Sequence, residues 1–335
     1  MAGTGAGAVD QEGGTGMSRF FVYTGGAAAE HDLLADYDRF AAGAEFMWVH
    51  VDARTDDIDA IVSRVARIPP HALLALKAHE TRPRGAQFGE GALVNLRGLG
   101  APEATDGDPL ISLRLWAERG LVVTLSYRAL GVLDRLVERM LAGEFADPGD
   151  LIAATAIEIT DALDPEIADL GDALDGIESQ VLDEGRTEQR RRVAELRAVA
   201  ISYRRFLSPQ RQAIDRLMTM AVQWLEPDDR LHLQEAADRC ARMVEELEAV
   251  RERAALVHEA LTDLRAEHMN RQALVLAVVA LIFLPLTFVT GLLGMNVEGI
   301  PYAHRPWAFW GVVGFCFAVG AVVGIWFKAT RWLSK

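Results

Sequence analysis

Hydrophobic and polar positions follow three rhythms in turn along this chain. In residues 19–146 short apolar runs alternate with polar breaks. Phe20–Tyr23, Phe46–Val51, Leu93–Leu96, Leu110–Trp116 and Leu121–Leu125 are rich in branched or aromatic residues and predict strands. Ile58–Arg67, Pro70–Ala78 and Tyr127–Ala142 carry helical patterns. Residues 147–272 turn to long helical rhythms, and Asp228–Leu284 runs for 57 residues with neither Gly nor Pro. Apolar residues recur there at Leu231, Met243, Leu247, Val250, Leu256, Val257, Leu261 and Leu264, and Pro227 before Asp228 and Asp229 suits a helix start. Pro165 and Pro209 are expected to break or restart the helices that hold them. Two charge-free apolar runs follow, Ala273–Leu293 and Trp307–Phe327, each of 21 residues. Each would be about 31 Å long as a helix, against a hydrocarbon core of about 30 Å.

These runs predict two membrane spans joined by the short link Gly294–Pro306. Arg265 and Arg271 precede the first span, and Lys328, Arg331 and Lys335 follow the second, whereas the link carries only Arg305 and Glu298. The positive-inside rule then puts both termini in the cytoplasm. Trp307, Trp310, Trp326 and Trp332 sit where interfacial aromatics sit. Within the first span Ala273, Ala277, Ala280, Leu284, Thr287, Gly291 and Gly294 form a heptad stripe of mostly small residues. Such a stripe serves close helix packing or lines a pore, and both uses are open. Pro285 removes a backbone donor and leaves the carbonyl near Leu281 unpaired.

Charge divides along the same boundaries. Asp+Glu 48 against Lys+Arg 34 gives −14 overall, of which residues 1–271 carry −17 and residues 272–335 carry +3. The negative body excludes a general nucleic-acid binder, which needs a basic face. Asp150–Gly185 holds eleven acids and no Lys or Arg, while Arg186–Arg211 holds eight Arg and two Glu. The pattern predicts an acidic helix folded against a basic one through a turn at Glu184-Gly185-Arg186. The alternative is that Asp161, Asp164, Asp169, Asp172 and Asp175 hold a regulatory divalent cation. Along the long helix Glu245, Glu252, Glu259 and Asp263 fall on the extension of the small stripe, as a cation-concentrating funnel or as an ordinary solvated face. Cys240 and Cys316 form neither a disulfide framework nor a zinc motif. Met1–Gly16 is rich in Gly, Ala and Thr and does not read as a secretory signal. His50 and Asp52 alternate on a strand and His79 neighbours Glu80, but no nucleophile–base constellation is assembled, so an enzyme is not expected and no catalytic cofactor is implied.

Gly294-Met295-Asn296 directly after the first of two C-terminal spans, with Pro285-Leu286-Thr287-Phe288 upstream, resembles the CorA family of divalent-cation transporters. Gly299-Ile300-Pro301, Phe46–Asp52 and Glu80-Thr81-Arg82-Pro83-Arg84 resemble its ZntB zinc-transport branch. The resemblance implies an α+β membrane protein: a disordered tail over 1–18, a cytoplasmic α/β domain over 19–146, a helical hairpin and stalk helix over 147–272, and a transmembrane hairpin over 273–335. It implies a homopentamer in the bacterial inner membrane with a cytoplasmic funnel. Gly294, Met295 and Asn296 would form the outer filter, with Glu298 in the external loop recruiting cations. Asn270, Ala273, Leu276, Ala280, Leu284, Thr287 and Gly291 would line the pore. Zinc would be the transported ion, with protons as a possible coupled partner. Leu284 stands where magnesium-type members often have Met, and Leu293 where an aromatic often precedes the signature.

The donor chemistry of such a filter reads independently. Amide and carbonyl oxygens are neutral and suit a cation held through its water shell, as magnesium is. Zinc prefers His or Cys, and the first span has neither; Cys316 lies in the second span and His304 in the link. Leu276 and Leu284 are candidate hydrophobic constrictions. Three functions stay open: zinc uptake, a magnesium or cobalt channel of the same fold, and a membrane-tethered cation sensor or scaffold.

Overall fold

The structure, a computed structural model, describes residues 18–332 except 55, 66–67, 79–81, 102–109, 182–186, 296, 301 and 303–304. The tail expected over 1–18 lies outside the described residues save Ser18, whose amide and hydroxyl donate to Asp56 Oδ2 at 2.7 and 2.5 Å. The chain divides into two compact units, Met1–His258 and Glu259–Lys335.

The first unit is built on a seven-stranded sheet. Its strands are β1 (Arg19–Thr24), β2 (Ala27–His31), β3 (Phe46–Asp52), β4 (Arg84–Phe88), β5 (Gly91–Leu99), β6 (Leu110–Glu118) and β7 (Leu121–Ser126), in the order β2-β1-β3-β7-β6-β5-β4. Only β3 and β7 pair in parallel, His50 opposite Thr124; the other neighbours are antiparallel. The five expected strands are present. The two that their patterns did not announce, β2 and β4, are the two edges of the sheet. An edge strand is covered less, so Ala27-Ala28-Ala29 and Arg84-Gly85-Ala86 lack the branched alternation that marks a covered strand.

Helices cover both faces. Phe20, Val22, Met47, Val49, Trp116 and Val123 make one core with Leu33 and Tyr37 of α1 (Leu33–Phe40), Ile61 and Val65 of α2 (Ile58–Val65), and Ala72 and Leu76 of α3 (Pro70–Lys77). Helix α1 begins at Asp32, whose carboxylate accepts from the Leu34 and Ala35 amides as an N-cap. The period of two turns the alternate residues to the opposite face. There Gly98 meets Ile159 of α5 (Pro148–Val181), and Gly85 meets Ala213 of α6 (Thr187–Met218). Helix α4 (Leu133–Leu141) precedes α5.

Three expectations need correction. The helix expected over Tyr127–Ala142 starts only at Leu133, because the preceding backbone is drawn to the end of β5: the Gly131 amide donates to Leu99 O and the Ala101 amide to Ala129 O, both at 3.0 Å. Pro165 and Pro209 do not break their helices; α5 and α6 run through them. Each Pro costs one backbone hydrogen bond, but buried Leu163 and Ile167 flank the first and buried Phe206, Leu207 and Ala213 surround the second. Finally, the acids of α5 whose ion pairs are described are met by arginines outside α6. Among the described residues Glu158 pairs with Arg135 and Arg139, Asp161 with Arg239, and Asp175 and Glu178 with Arg253. Arg239 and Arg253 belong to α7 (Pro227–Leu293). Where α5 faces α6 a cavity is lined by small or apolar Ala173, Gly176, Ile177, Leu196 and Val199, with Arg192 and Glu195 of α6 beside them. The turn expected at Glu184-Gly185-Arg186 lies outside the described residues.

The second unit holds the end of α7, from Glu259, and α8 (Pro306–Trp332).

Candidate functional site

Helix α7 presents two different surfaces. In the first unit Met243, Leu247, Val250, Ala254 and Val257 are buried at steps of three and four, a seam that faces the body. Glu245 and Glu252 lie two residues past Met243 and Val250, about 200° around the helix, and both are exposed. Glu252 has Arg251 at 3.9 Å, while Glu245 has no ion pair among the described residues. In the second unit Glu259 and Asp263 stand likewise two residues past Val257 and buried Leu261, exposed and without an ion pair among the described residues.

Beyond Arg271 the helix is apolar and yet uncovered. Leu276 is 70% exposed, Leu284 75% and Phe288 69%. A core helix of a soluble protein would bury such residues; an exposed run this long needs lipid or other copies around it. Helix α8 is similarly uncovered, with Trp307, Trp310 and Trp326 exposed near its ends. Asn270, Ala273, Leu276, Ala280, Leu284, Thr287 and Gly291 are all exposed and fall within an arc of about 120° at 3.6 residues per turn. Pro285 lies within the helix, so the Leu281 carbonyl has no amide at the usual position. The hydroxyl of Thr287 donates to Phe283 O at 2.7 Å, which turns its proton to the helix and leaves only oxygen lone pairs facing outward.

Helix α7 ends at Leu293, and the Gly294 amide closes its last turn on Thr290 O at 3.0 Å. A side chain at residue 294 would press on that same oxygen, also 3.0 Å from an ideal Cβ. Met295 and Glu298 are exposed, Gly299 takes a positive φ of 101°, and Asn296 lies outside the described residues.

His50 and Asp52 are built into the sheet's interior. His50 is buried with Nδ1 2.9 Å from Thr124 Oγ1, which also accepts from Trp48 Nε1 at 2.9 Å. Burial pushes its pKa down to about 4, so the ring is neutral at ordinary pH. At Asp52 burial opposes the charge, but hydrogen bonds from Arg54 outweigh it and hold the carboxyl below its usual range. His79 and Glu80 lie outside the described residues. Of the acids considered for a regulatory cation, Asp161 and Asp175 are engaged by Arg239 and Arg253.

Sequence reading passed over one cluster. Asp147, Asp150 and Asp229 bring carboxylate oxygens within 4.8 Å of one another. Each caps a chain reversal: Asp147 Oδ1 accepts from the Gly149 and Asp150 amides, Asp150 Oδ2 from Ala146, and Asp229 Oδ2 from Glu226. Burial, reinforced by the neighbouring acids, raises Asp229 to about 6. Asp147 and Asp150 are three residues apart at the start of α5, but Asp229 is distant in sequence, and only the meeting of the α5 and α7 starts brings it to them.

Comparison with known proteins fits this arrangement. The family described as "CorA-like Mg2+ transporter protein" matches residues 43–329. Over 290 residues the chain is 30% identical to the zinc transport protein ZntB of Pectobacterium atrosepticum, covering 85% of this chain and 88% of that one. It is 34% identical to the divalent cation transporter CmaX of Pseudomonas aeruginosa over 295 residues, 86% of this chain and 88% of that one. The solved structure of full-length CmaX superposes with a TM-score of 0.78 at 31% identity, covering 96% of this chain and all of that one (100%). The CorA magnesium transporter of Methanocaldococcus jannaschii shares the fold, with a TM-score of 0.77 at 18% identity and coverage of 94% and 98%.

Proposed function

This chain belongs to the CorA-like Mg2+ transporter family, and from that premise we propose that it carries zinc across the bacterial inner membrane through a pore lined by α7. It is a membrane protein and a divalent-cation transporter, not an enzyme. One observation carries the reading: an exposed, uncharged arc of α7 runs directly into Gly294 and Met295 at the end of the helix.

A single such helix encloses nothing, so the pore requires copies of the chain around an axis, and a homopentamer is the proposed assembly. Gly294, Met295 and Asn296 form its outer filter and Glu298 gathers cations before it. Asn270, Ala273, Leu276, Ala280, Leu284, Thr287 and Gly291 line the path. Leu276 and Leu284 are its dry constrictions, where a hydrated ion passes only when the ring widens. Glu245, Glu252, Glu259 and Asp263 form an acidic exit funnel. Both termini face the cytoplasm, with 19–146 and 147–272 as the cytoplasmic domain and stalk and 273–335 as the membrane hairpin. Proton coupling belongs to the same proposal, and no catalytic cofactor is needed.

Zinc as cargo rests on the relatives named zinc transport proteins. A magnesium or cobalt channel is the second reading, favoured by the neutral oxygen donors and the lack of His or Cys on the lining arc. Uptake of radioactive zinc, nickel and magnesium by the protein in liposomes, with and without a pH gradient, separates them. Zinc flux that rises with an imposed proton gradient is expected. Magnesium flux without zinc flux would replace the first reading by the second, and no flux of any cation would reduce the chain to a sensor or scaffold. In the same assay Asn296→Ala is expected to lower zinc flux at least about tenfold, since a ring of amides is lost at once.

A further inference from the structure

Helices α5 and α6 each carry an exposed row of side chains at steps of four. On α5 it is Asp164, Ala168 and Asp172; on α6 it is Arg197, Ile201 and Arg205. Each row spans about 12 Å along its helix. The two are mirror patterns: acid, small, acid on one and base, large, base on the other. Ile201 stands 47% exposed between its arginines. The four charged groups form no ion pair among the described residues, although other acids of α5 do: Asp161 meets Arg239, and Asp175 and Glu178 meet Arg253. The Arg205 guanidinium lies 4.5 Å from the centroid of the Phe206 ring. A guanidinium stacked in this way is held in place and keeps its N–H fork in its own plane for a carboxylate.

The rows lie on opposite flanks of the helix pair. Helix α5 faces α6 through Ala173 and Ile177, which stand about 140° and 180° around α5 from Ala168. Helix α6 faces α5 through Leu196 and Val199, about 140° and 160° around α6 from Ile201. The middle of each row therefore points away from the other helix, and within one copy the rows do not meet. Contact between like rows of two copies would crowd four carboxylates or four guanidinium groups together, which is strongly unfavourable. Contact between unlike rows pairs every charge.

We infer that neighbouring copies of the chain join through these rows, α6 of one copy seated on α5 of the next. Ile201 packs over Ala168, and each arginine takes an aspartate at either end. Rows at steps of four incline alike on both helices and lie side by side when the helices cross at about −50°, the commonest packing class. The inference rests on the proposed homopentamer and gives it a contact in the first unit. A ring with an odd number of copies cannot close through self-matching faces; each copy must offer two different patches to its two neighbours. An acidic row on one flank and a basic row on the other meet that demand. Exposed ion pairs bind weakly, so the charges fix which faces meet and in what register, while burial of Ile201 adds apolar contact.

Cross-linking of the full chain in detergent tests this. The double variant Ala168→Cys, Ile201→Cys, treated with a short bismaleimide, is expected to give a covalent ladder reaching five chains. Cys240 is buried and Cys316 lies in α8, so each single variant should give no more cross-linking than the parent. Light scattering of the parent reads the assembly separately. Five chains with no cross-link overturns the inference, hands the rows to another partner and leaves the pentamer standing. A parent that is not pentameric overturns the assembly on which the inference rests. A ladder that stops at two chains overturns the ring contact in favour of a two-fold pair. Adding Asp164→Arg and Asp172→Arg should cut the cross-linked fraction at least about fivefold, and further adding Arg197→Asp and Arg205→Asp should restore it. Glu166→Arg, exposed on α5 but off the row, should change nothing. All these side chains are exposed, so thermal midpoints should match the parent, which separates a lost contact from lost folding. A cross-link untouched by reversal of the two aspartates overturns the charge pairing.

Discussion

Asp229 is 3% exposed beside Asp147, Asp150 and Glu226, and burial with these neighbours pushes its carboxyl up to about 6. The folded value lies above the unfolded one, so the stabilising contribution is complete below about pH 4 and is lost as pH rises through about 6. At neutral pH the charged form opposes burial. Asp229→Asn, which keeps an acceptor for the Glu226 amide, is expected to raise the thermal midpoint at pH 8 by about 2–5 °C and to leave it nearly unchanged at pH 4. Equal shifts at both pH values would refute the electrostatic account. Gly91 is a second position where one atom decides the outcome. A Cβ there would lie 2.4 Å from the Trp116 ring, and the indole, 1% exposed, has nowhere to move. Gly91→Ala is expected to cost about 1–3 kcal/mol, read as a lowered denaturation midpoint, unless Trp116 is shortened as well. Neither residue is conspicuous in sequence. A Gly at the start of a strand and an Asp at a helix start are ordinary, and both acquire their weight from a partner far along the chain.

At the scale of elements the helices illustrate what local pattern misses. Pro165 reads as a break, yet α5 continues because its apolar flanks are buried and the ring itself is exposed. Pro165→Ala restores an amide to the Asp161 carbonyl, and a gain of about 1 kcal/mol or more is expected in the same denaturation measurement. By contrast Arg253→Ala removes the pairings with Asp175 and Glu178, which are numerous but largely exposed, and should cost under about 1 kcal/mol. The ranking of the two effects is itself the test: a larger loss from Arg253 than gain from Pro165 would mean that charge, not backbone, governs how α5 is held. The strands follow the same logic. Covered strands announce themselves by branched residues, while β2 and β4 at the edges need little apolar surface and leave little signal.

For the whole molecule the division of charge and apolar surface matters most. Residues 1–271 carry −17 and residues 272–335 carry +3, so cations leaving the proposed pore would meet a negative body. Changing Glu245, Glu252 and Glu259 to Gln and Asp263 to Asn is expected to lower cation flux in liposomes severalfold at low ionic strength and little at high, because salt screens exposed charge over about 10 Å at 0.1 M. Loss that ignores salt would assign these acids a local structural role. Sequence by itself determined the two apolar runs, the long uninterrupted α7, the covered strands and the signature Gly294-Met295-Asn296, since each is a local run whose length or composition has one physical solution. Only the tertiary structure decided what required distant segments to meet. Among the described residues it placed acids of α5 against arginines of α4 and α7, joined Asp147 and Asp150 to Asp229, and set Gly85 against Ala213. Burial, pKa and cavities arise from such meetings, and a linear pattern carries no record of which segments will pack.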